Sequence, residues 1–140
     1  DFDENELREG FQIQVSKGNE IPGVSPHVGR VGLGYNITEN WIINGDIEAN
    51  SDQFFRGDEI NHSNKIPGYF LLNFRTEYTL DGKNNGASTM FFLEARNILD
   101  ENYETGGIFA ENEVSGTGGS GTFVTPGQPF SIFGGINLIW

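Results

Sequence analysis

Polar and apolar residues alternate with period two in five stretches, each long enough for a strand. From Val28 to Tyr35, Val31, Leu33 and Tyr35 share one face, and Arg30, Gly32 and Gly34 the other. From Trp41 to Asn50, Trp41, Ile43, Gly45, Ile47 and Ala49 oppose Ile42, Asn44, Asp46, Glu48 and Asn50. From Gly68 to Tyr78, Phe70, Leu72, Phe74, Thr76 and Tyr78 oppose Tyr69, Leu71, Asn73, Arg75 and Glu77. From Thr89 to Arg96, Thr89, Phe91, Leu93 and Ala95 oppose Met90, Phe92, Glu94 and Arg96. The last stretch, Phe130 to Trp140, sets Phe130, Ile132, Gly134, Ile136, Leu138 and Trp140 against Ser131, Phe133, Gly135, Asn137 and Ile139.

The connections alternate in length. Asn36–Asn40 and Thr79–Ser88 are short, and the latter holds the turn sequence Asp81-Gly82-Lys83-Asn84-Asn85-Gly86. Asp1–His27, Ser51–Pro67 and Asn97–Pro129 are long and rich in Gly, Asn, Ser and acids. The run Gly116-Thr117-Gly118-Gly119-Ser120-Gly121 is nearly low complexity and is expected to be mobile. Soluble domains seldom carry so much loop, whereas transmembrane barrels have short turns on one side and long loops on the other.

The two faces then acquire roles. The apolar face carries Tyr35, Trp41, Tyr78 and Trp140 toward the short turns and Phe70 and Phe130 toward the long loops. Aromatic rings at both strand ends suit the two membrane–water interfaces. The opposite face holds Arg30, Asp46, Glu48, Arg75, Glu77, Glu94 and Arg96, which in a barrel point into the lumen. A five-residue turn at Asn36–Asn40 would set Arg30 across from Asp46. Five strands cannot close a barrel, since about eight is the minimum. Further strands N-terminal to these are therefore expected to complete it. A soluble antiparallel sheet with one wet face gives the same alternation, and a soluble acidic β-domain binding a protein or glycan is the competing reading.

Composition narrows the chemistry. Eight basic and 20 acidic residues give a net charge of −12, which argues against a nucleic-acid partner. The absence of cysteine removes disulfides, thiolate metal sites and a Cys nucleophile. Apolar runs reach only four residues, too short for a transmembrane helix. The chain opens on Asp1-Phe2-Asp3-Glu4, unlike a secretory leader, so an exported protein of this kind is expected to be a mature chain or part of a longer one. Asp1, Asp3, Glu4, Glu6 and Glu9 form one acidic run, and Asp100, Glu101, Glu104, Glu111 and Glu113 another; neither has EF-hand spacing, and both read as solvated loop. His27 and His62 stand far apart with no Ser-centred triad, so neither catalysis nor a cofactor is expected. Arg56-Gly57-Asp58 spells a cell-adhesion tripeptide, and Asn36-Ile37-Thr38 and Asn61-His62-Ser63 match a glycosylation sequon; all three read as ordinary loop and turn sequence. Asn97, Asp100 and Tyr103 read as residues that fold a loop base.

Four segments carry a family resemblance: Ile21-Pro22-Gly23-Val24-Ser25-Pro26-His27; Phe55-Arg56-Gly57-Asp58-Glu59-Ile60-Asn61 with Ile66-Pro67-Gly68-Tyr69; Ala95-Arg96-Asn97-Ile98-Leu99-Asp100-Glu101-Asn102-Tyr103; and the terminal strand ending in Trp140. Over nearly the whole chain from Gly18 onward they resemble the C-terminal end of the TonB-dependent outer-membrane receptors. The resemblance implies an all-β chain, about five C-terminal strands of a 22-stranded antiparallel transmembrane barrel. Residues 1–140 would be that portion, with the N-terminal strands and the plug domain lying outside it. It implies import of a scarce nutrient such as siderophore-bound iron, cobalamin or a glycan across the Gram-negative outer membrane. Its implied partners are outer-membrane lipid, the plug and remaining strands, the TonB complex acting through an N-terminal region, and the barrel-assembly machinery. Phe130, Ile132, Ile136, Leu138 and Trp140 would form the assembly signal. The lumen residues Arg30, Asp46, Glu48, Arg75, Glu77, Glu94 and Arg96 are the candidates for plug or solute contact.

Overall fold

A computed structural model describes residues 15–82, 86–112 and 119–139. The first acidic run, Lys83–Asn85, Glu113, 116–118 and Trp140 lie outside the described residues. The described chain is all β, with β1 (Val28–Thr38), β2 (Trp41–Asn50), β3 (Tyr69–Asp81), β4 (Ser88–Arg96), β5 (Glu104–Asn112), β6 (Gly119–Pro126) and β7 (Ser131–Ile139). One antiparallel sheet runs β1-β2-β3-β4-β7, and β5 and β6 form a separate hairpin. All five alternating stretches are strands of the larger sheet.

Cross-strand register carries the alternation from strand to strand. Leu33, Gly45, Phe74, Ala95 and Ile132 form one continuous row, and Tyr35, Ile43, Thr76, Leu93 and Gly134 the next. On the other face Gly34, Asn44, Arg75, Glu94 and Phe133 are aligned. Side-chain period and ladder pairing therefore agree, and the sheet has one apolar and one polar face.

The apolar face is uncovered. Val31, Leu33, Ile47, Phe74, Phe91, Leu93, Ile132, Ile136 and Leu138 are all exposed, Leu33 at 80%. Among the described residues, the buried apolar side chains are Phe55, Ile66 and Leu71. Phe55 and Ile66 belong to the β2–β3 loop, and Leu71 points to the polar face. Burial thus gathers at the long-loop end and beneath no part of the apolar face.

The β1–β2 connection differs from the five-residue turn expected at Asn36–Asn40. β1 continues to Thr38, Ile37 is bulged between the Asn36–Ile42 and Thr38–Trp41 pairs, and Glu39-Asn40 alone makes the turn. A bulge adds local twist and lets the strands meet in a tight loop. Asn40 pins the turn to the next strand: its backbone N–H meets Thr38 Oγ1 at 3.3 Å, and its Nδ2 donates to the Thr79 carbonyl at 3.0 Å and Asp81 Oδ2 at 2.8 Å. At this end Trp41 donates through Nε1 to Thr76 Oγ1 at 2.8 Å and meets Tyr78 edge-on, with ring centroids 6.5 Å apart.

The stretch Asn97–Pro129, expected as loop, holds the β5–β6 hairpin. Gly119–Gly121, read from composition as mobile, opens β6. The β2–β3 loop docks on the hairpin through a parallel bridge between Arg56 and Ile108. Its two bonds are Arg56 N–H to Gly107 O at 3.0 Å and Phe109 N–H to Arg56 O at 2.9 Å. Phe55 packs on Gly107, where a β-carbon would lie 2.6 Å from the phenyl ring. Gly107→Ala is therefore expected to destabilise this seam by about 1–3 kcal/mol. Limited proteolysis should cut the hairpin faster, while β1–β4 stay resistant; unchanged cleavage would remove Phe55 as the anchor.

Candidate functional site

The polar face builds a ladder of ion pairs because alternating strand positions bring its charges to one side. Arg30 Nη2 lies 3.1 Å from Asp46 Oδ2. Arg75 bonds Glu77 Oε1 at 2.6 Å and Glu94 Oε2 at 2.8 Å, and Arg96 bonds the other oxygen of Glu94. The guanidinium of Arg75 stacks 4.5 Å from the Phe92 ring centroid, and that of Arg96 lies 5.5 Å from Phe133. Each of these arginines thus has a carboxylate and, for two of them, an aromatic ring. The Arg30–Asp46 pair is substantially exposed and contributes at most about 1 kcal/mol.

Arg30 does not sit across from Asp46 as expected. The two-residue turn and the one-residue bulge together move the register by two residues from the expected one, so Arg30 opposes Glu48 and Gly32 opposes Asp46. An even shift keeps every side chain on its face, and the long arginine reaches Asp46 diagonally. Glu48 accepts instead from Asn50 Nδ2 at 3.1 Å.

Arg30, Asp46, Glu48, Glu94 and Arg96 line one concavity of about 380 Å³. Arg75 and Glu77 lie nearer the short-turn end and join it only through the Arg75–Glu94 bond. Leu71, Asn73, Asn97, Tyr103 and Gln128 complete the lining. None of these five was singled out as lumen contact from sequence. Leu71 and Asn73 were placed on the correct face, but the others come from a loop whose path no periodicity reveals.

That loop base is built by local polar bonds. Asn97 and Asp100 adopt positive φ, 49° and 51°, a conformation Asn and Asp tolerate better than most residues. Buried Asn97 accepts from Glu101 N–H at 2.9 Å and donates to the carbonyls of Glu101 at 2.9 Å and Gln128 at 3.0 Å. Asp100 accepts from Phe130 N–H at 3.2 Å. Tyr103 packs on Tyr69 with centroids 4.4 Å apart, and its hydroxyl accepts from Gln128 N–H at 3.3 Å. These three residues fold the loop.

The TonB dependent receptor-like, beta-barrel family matches residues 3–98, more than half the chain. The chain belongs to this family. The match begins upstream of the Gly18 boundary read from sequence and does not include Asp100-Glu101-Asn102-Tyr103 or β7. No curated protein and no solved structure matched the chain. As a TonB-dependent receptor barrel sequence it falls in a family of outer-membrane transport proteins. On β7, Ile132, Ile136 and Leu138 lie on the exposed apolar face, and Phe130 just precedes the strand.

The receptor's second long loop also withdraws the adhesion tripeptide from use. Asp58 is buried and accepts from Ser63 Oγ at 2.6 Å and from the amides of His62 and Ser63, each at 2.8 Å. Asn61 of the nearby sequon donates to the Glu20 and Asp58 carbonyls and accepts from Glu20 N–H at 2.6 Å. Burial pushes the Asp58 carboxyl up, but the Ser63 hydroxyl, the two amides and nearby His62 together hold it below its ordinary value of 3.8. A depressed carboxyl stabilises the fold above its unfolded pKa, and that contribution is lost as pH falls through the folded value. Acidification below about pH 4 should therefore loosen residues 58–63, read as faster amide exchange at His62 and Ser63. Asp58→Asn should remove that pH dependence.

Proposed function

We propose that this chain is the C-terminal portion of the barrel of a TonB-dependent receptor that imports a scarce, large nutrient across the Gram-negative outer membrane. The observation that carries the reading is the bare apolar face of the five-stranded sheet. A soluble sandwich would bury such a face against a second sheet, and among the described residues nothing packs on it. Lipid is the solvent that suits it, and water in a lumen suits the ion-paired side. Because about eight strands are the fewest that close a barrel, strands supplied from elsewhere in the receptor complete the wall. A plug domain fills it, and TonB acts through an N-terminal region.

The division of labour follows from the faces. Arg30, Asp46, Glu48, Arg75, Glu77, Glu94 and Arg96 meet the plug or the passing solute and break no bond. The loops and β5–β6 form part of the external capture surface. Phe130, Ile132, Ile136, Leu138 and Trp140 present the terminal signal to the assembly machinery. Siderophore-iron, cobalamin and glycans are the nutrient classes in view. The arginines of the concavity are already neutralised by carboxylates of the same wall, which favours a solute of low net negative charge.

Two tests bear on this. In the intact receptor, a cysteine at position 93 should react with a lipid-dissolved maleimide, and one at position 94 with a water-soluble maleimide; the reverse pattern would sink the reading. Leu93→Arg should destabilise the membrane-assembled receptor by about 2–4 kcal/mol, measured by urea unfolding in liposomes, while Asn44→Arg on the opposite face should cost far less.

A further inference from the structure

Asn73 uses both ends of its side-chain amide. Its Nδ2 donates to Asp46 Oδ2 at 2.9 Å, and its Oδ1 accepts from Asn97 N–H at 3.0 Å. The two bonds depend on each other. An ionised carboxylate only accepts, so Asp46 selects the amide orientation that turns the NH₂ toward it. That orientation is the one that turns Oδ1 toward Asn97. A flipped amide would set oxygen against carboxylate and NH₂ against N–H, two repulsive pairs in place of two bonds.

Asn97 in turn holds the base of the β5–β6 hairpin. Its side chain bonds Glu101, on the limb entering β5, and Gln128, on the limb leaving β6. At the other end Asp46 Oδ2 also takes Arg30, whose side chain is 64% exposed. Hydrogen bonds therefore run without a break from an open arginine on the polar face, through Asp46, Asn73 and Asn97, to both limbs of the hairpin.

We propose that Asp46 is an orientation lock: by fixing the Asn73 amide it holds the hairpin base. The lock itself follows from the contacts. Its use as a link between lumen and exterior rests on the function proposed above, and the maleimide test can fail independently of it.

Hydrogen exchange on the intact receptor in lipid nanodiscs tests the lock, read at the amides of Glu101 and Phe109. D46A leaves the Asn73 NH₂ without its carboxylate and should speed exchange at both sites roughly fivefold, the size of one lost hydrogen bond. N73D sets two carboxylates together and should do the same. In D46N/N73D, donor and acceptor trade places: the new amide donates to the new carboxylate, which still accepts from Asn97 N–H. The double variant should return to wild-type exchange. Unchanged exchange in D46A, or a double variant no slower than the single ones, would overturn the proposal. So would equal acceleration throughout β2 and β3, which would mark general loosening of the wall. If N73D does not assemble, D46A alone decides.

Discussion

Hydrocarbon offers no hydrogen bonds, so a strand that crosses it must find partners for its peptide groups on neighbouring strands. Everything else in this molecule follows from meeting that demand with a regular ladder. Continuous pairing from β1 to β4 and on to β7 forces side chains to alternate between faces in step across all five strands. One face can then be predominantly apolar and the other can collect charge. The ladder also explains why β5 and β6 leave the sheet: β4 takes β7 as its next partner, and the chain between them folds on its own outside.

Pairing constrains parity more tightly than it constrains partners. The two-residue turn and the Ile37 bulge together shift the β1–β2 register by two residues relative to the five-residue turn expected from sequence, and residues Val28–Tyr35 keep their faces. The cross-strand neighbours did change. Arg30 faces Glu48 yet bonds Asp46 on the diagonal, which its long side chain can reach. A one-residue shift would have turned Leu33 and Tyr35 onto the polar face and set the charge of Arg30 on the apolar one. Selection for the apolar face therefore fixes odd against even and leaves the individual ion pairs to turn geometry.

This separates what the sequence shows from what it hides. Strand existence, face assignment and the polar row were legible because period two is a local signal and the connections between these strands are rich in turn-forming and polar residues. The β5–β6 hairpin was not. Its larger apolar residues come as adjacent pairs, Ile108-Phe109 and Phe123-Val124, without period-two alternation, and the glycine-rich run beside them reads as loop by composition. It gains its place from a distant segment, the Arg56 bridge and the Phe55 contact. The concavity was half legible for the same reason. Asp46, Glu48 and Glu94 come from strands, whereas Asn97, Tyr103 and Gln128 arrive through turns with positive φ and through bonds between residues 31 apart.

The long-loop end shows how a chain with an exposed apolar face still orders its loops. It draws little on a central core, since most large apolar side chains of the sheet lie on its exposed apolar face. Small clusters replace it. Phe55 and Ile66 supply local burial, buried Asp58 and Asn97 bond to loop backbone, and buried Gln53 donates to the Thr105 carbonyl of β5. A buried polar group with all its bonds made specifies one conformation, and losing one bond costs more than a surface contact would. The loops are thus held by direction-specific bonds more than by bulk hydrophobicity. Such bonds can be exchanged one at a time, which lets an external surface change shape while the ladder beneath it stays intact.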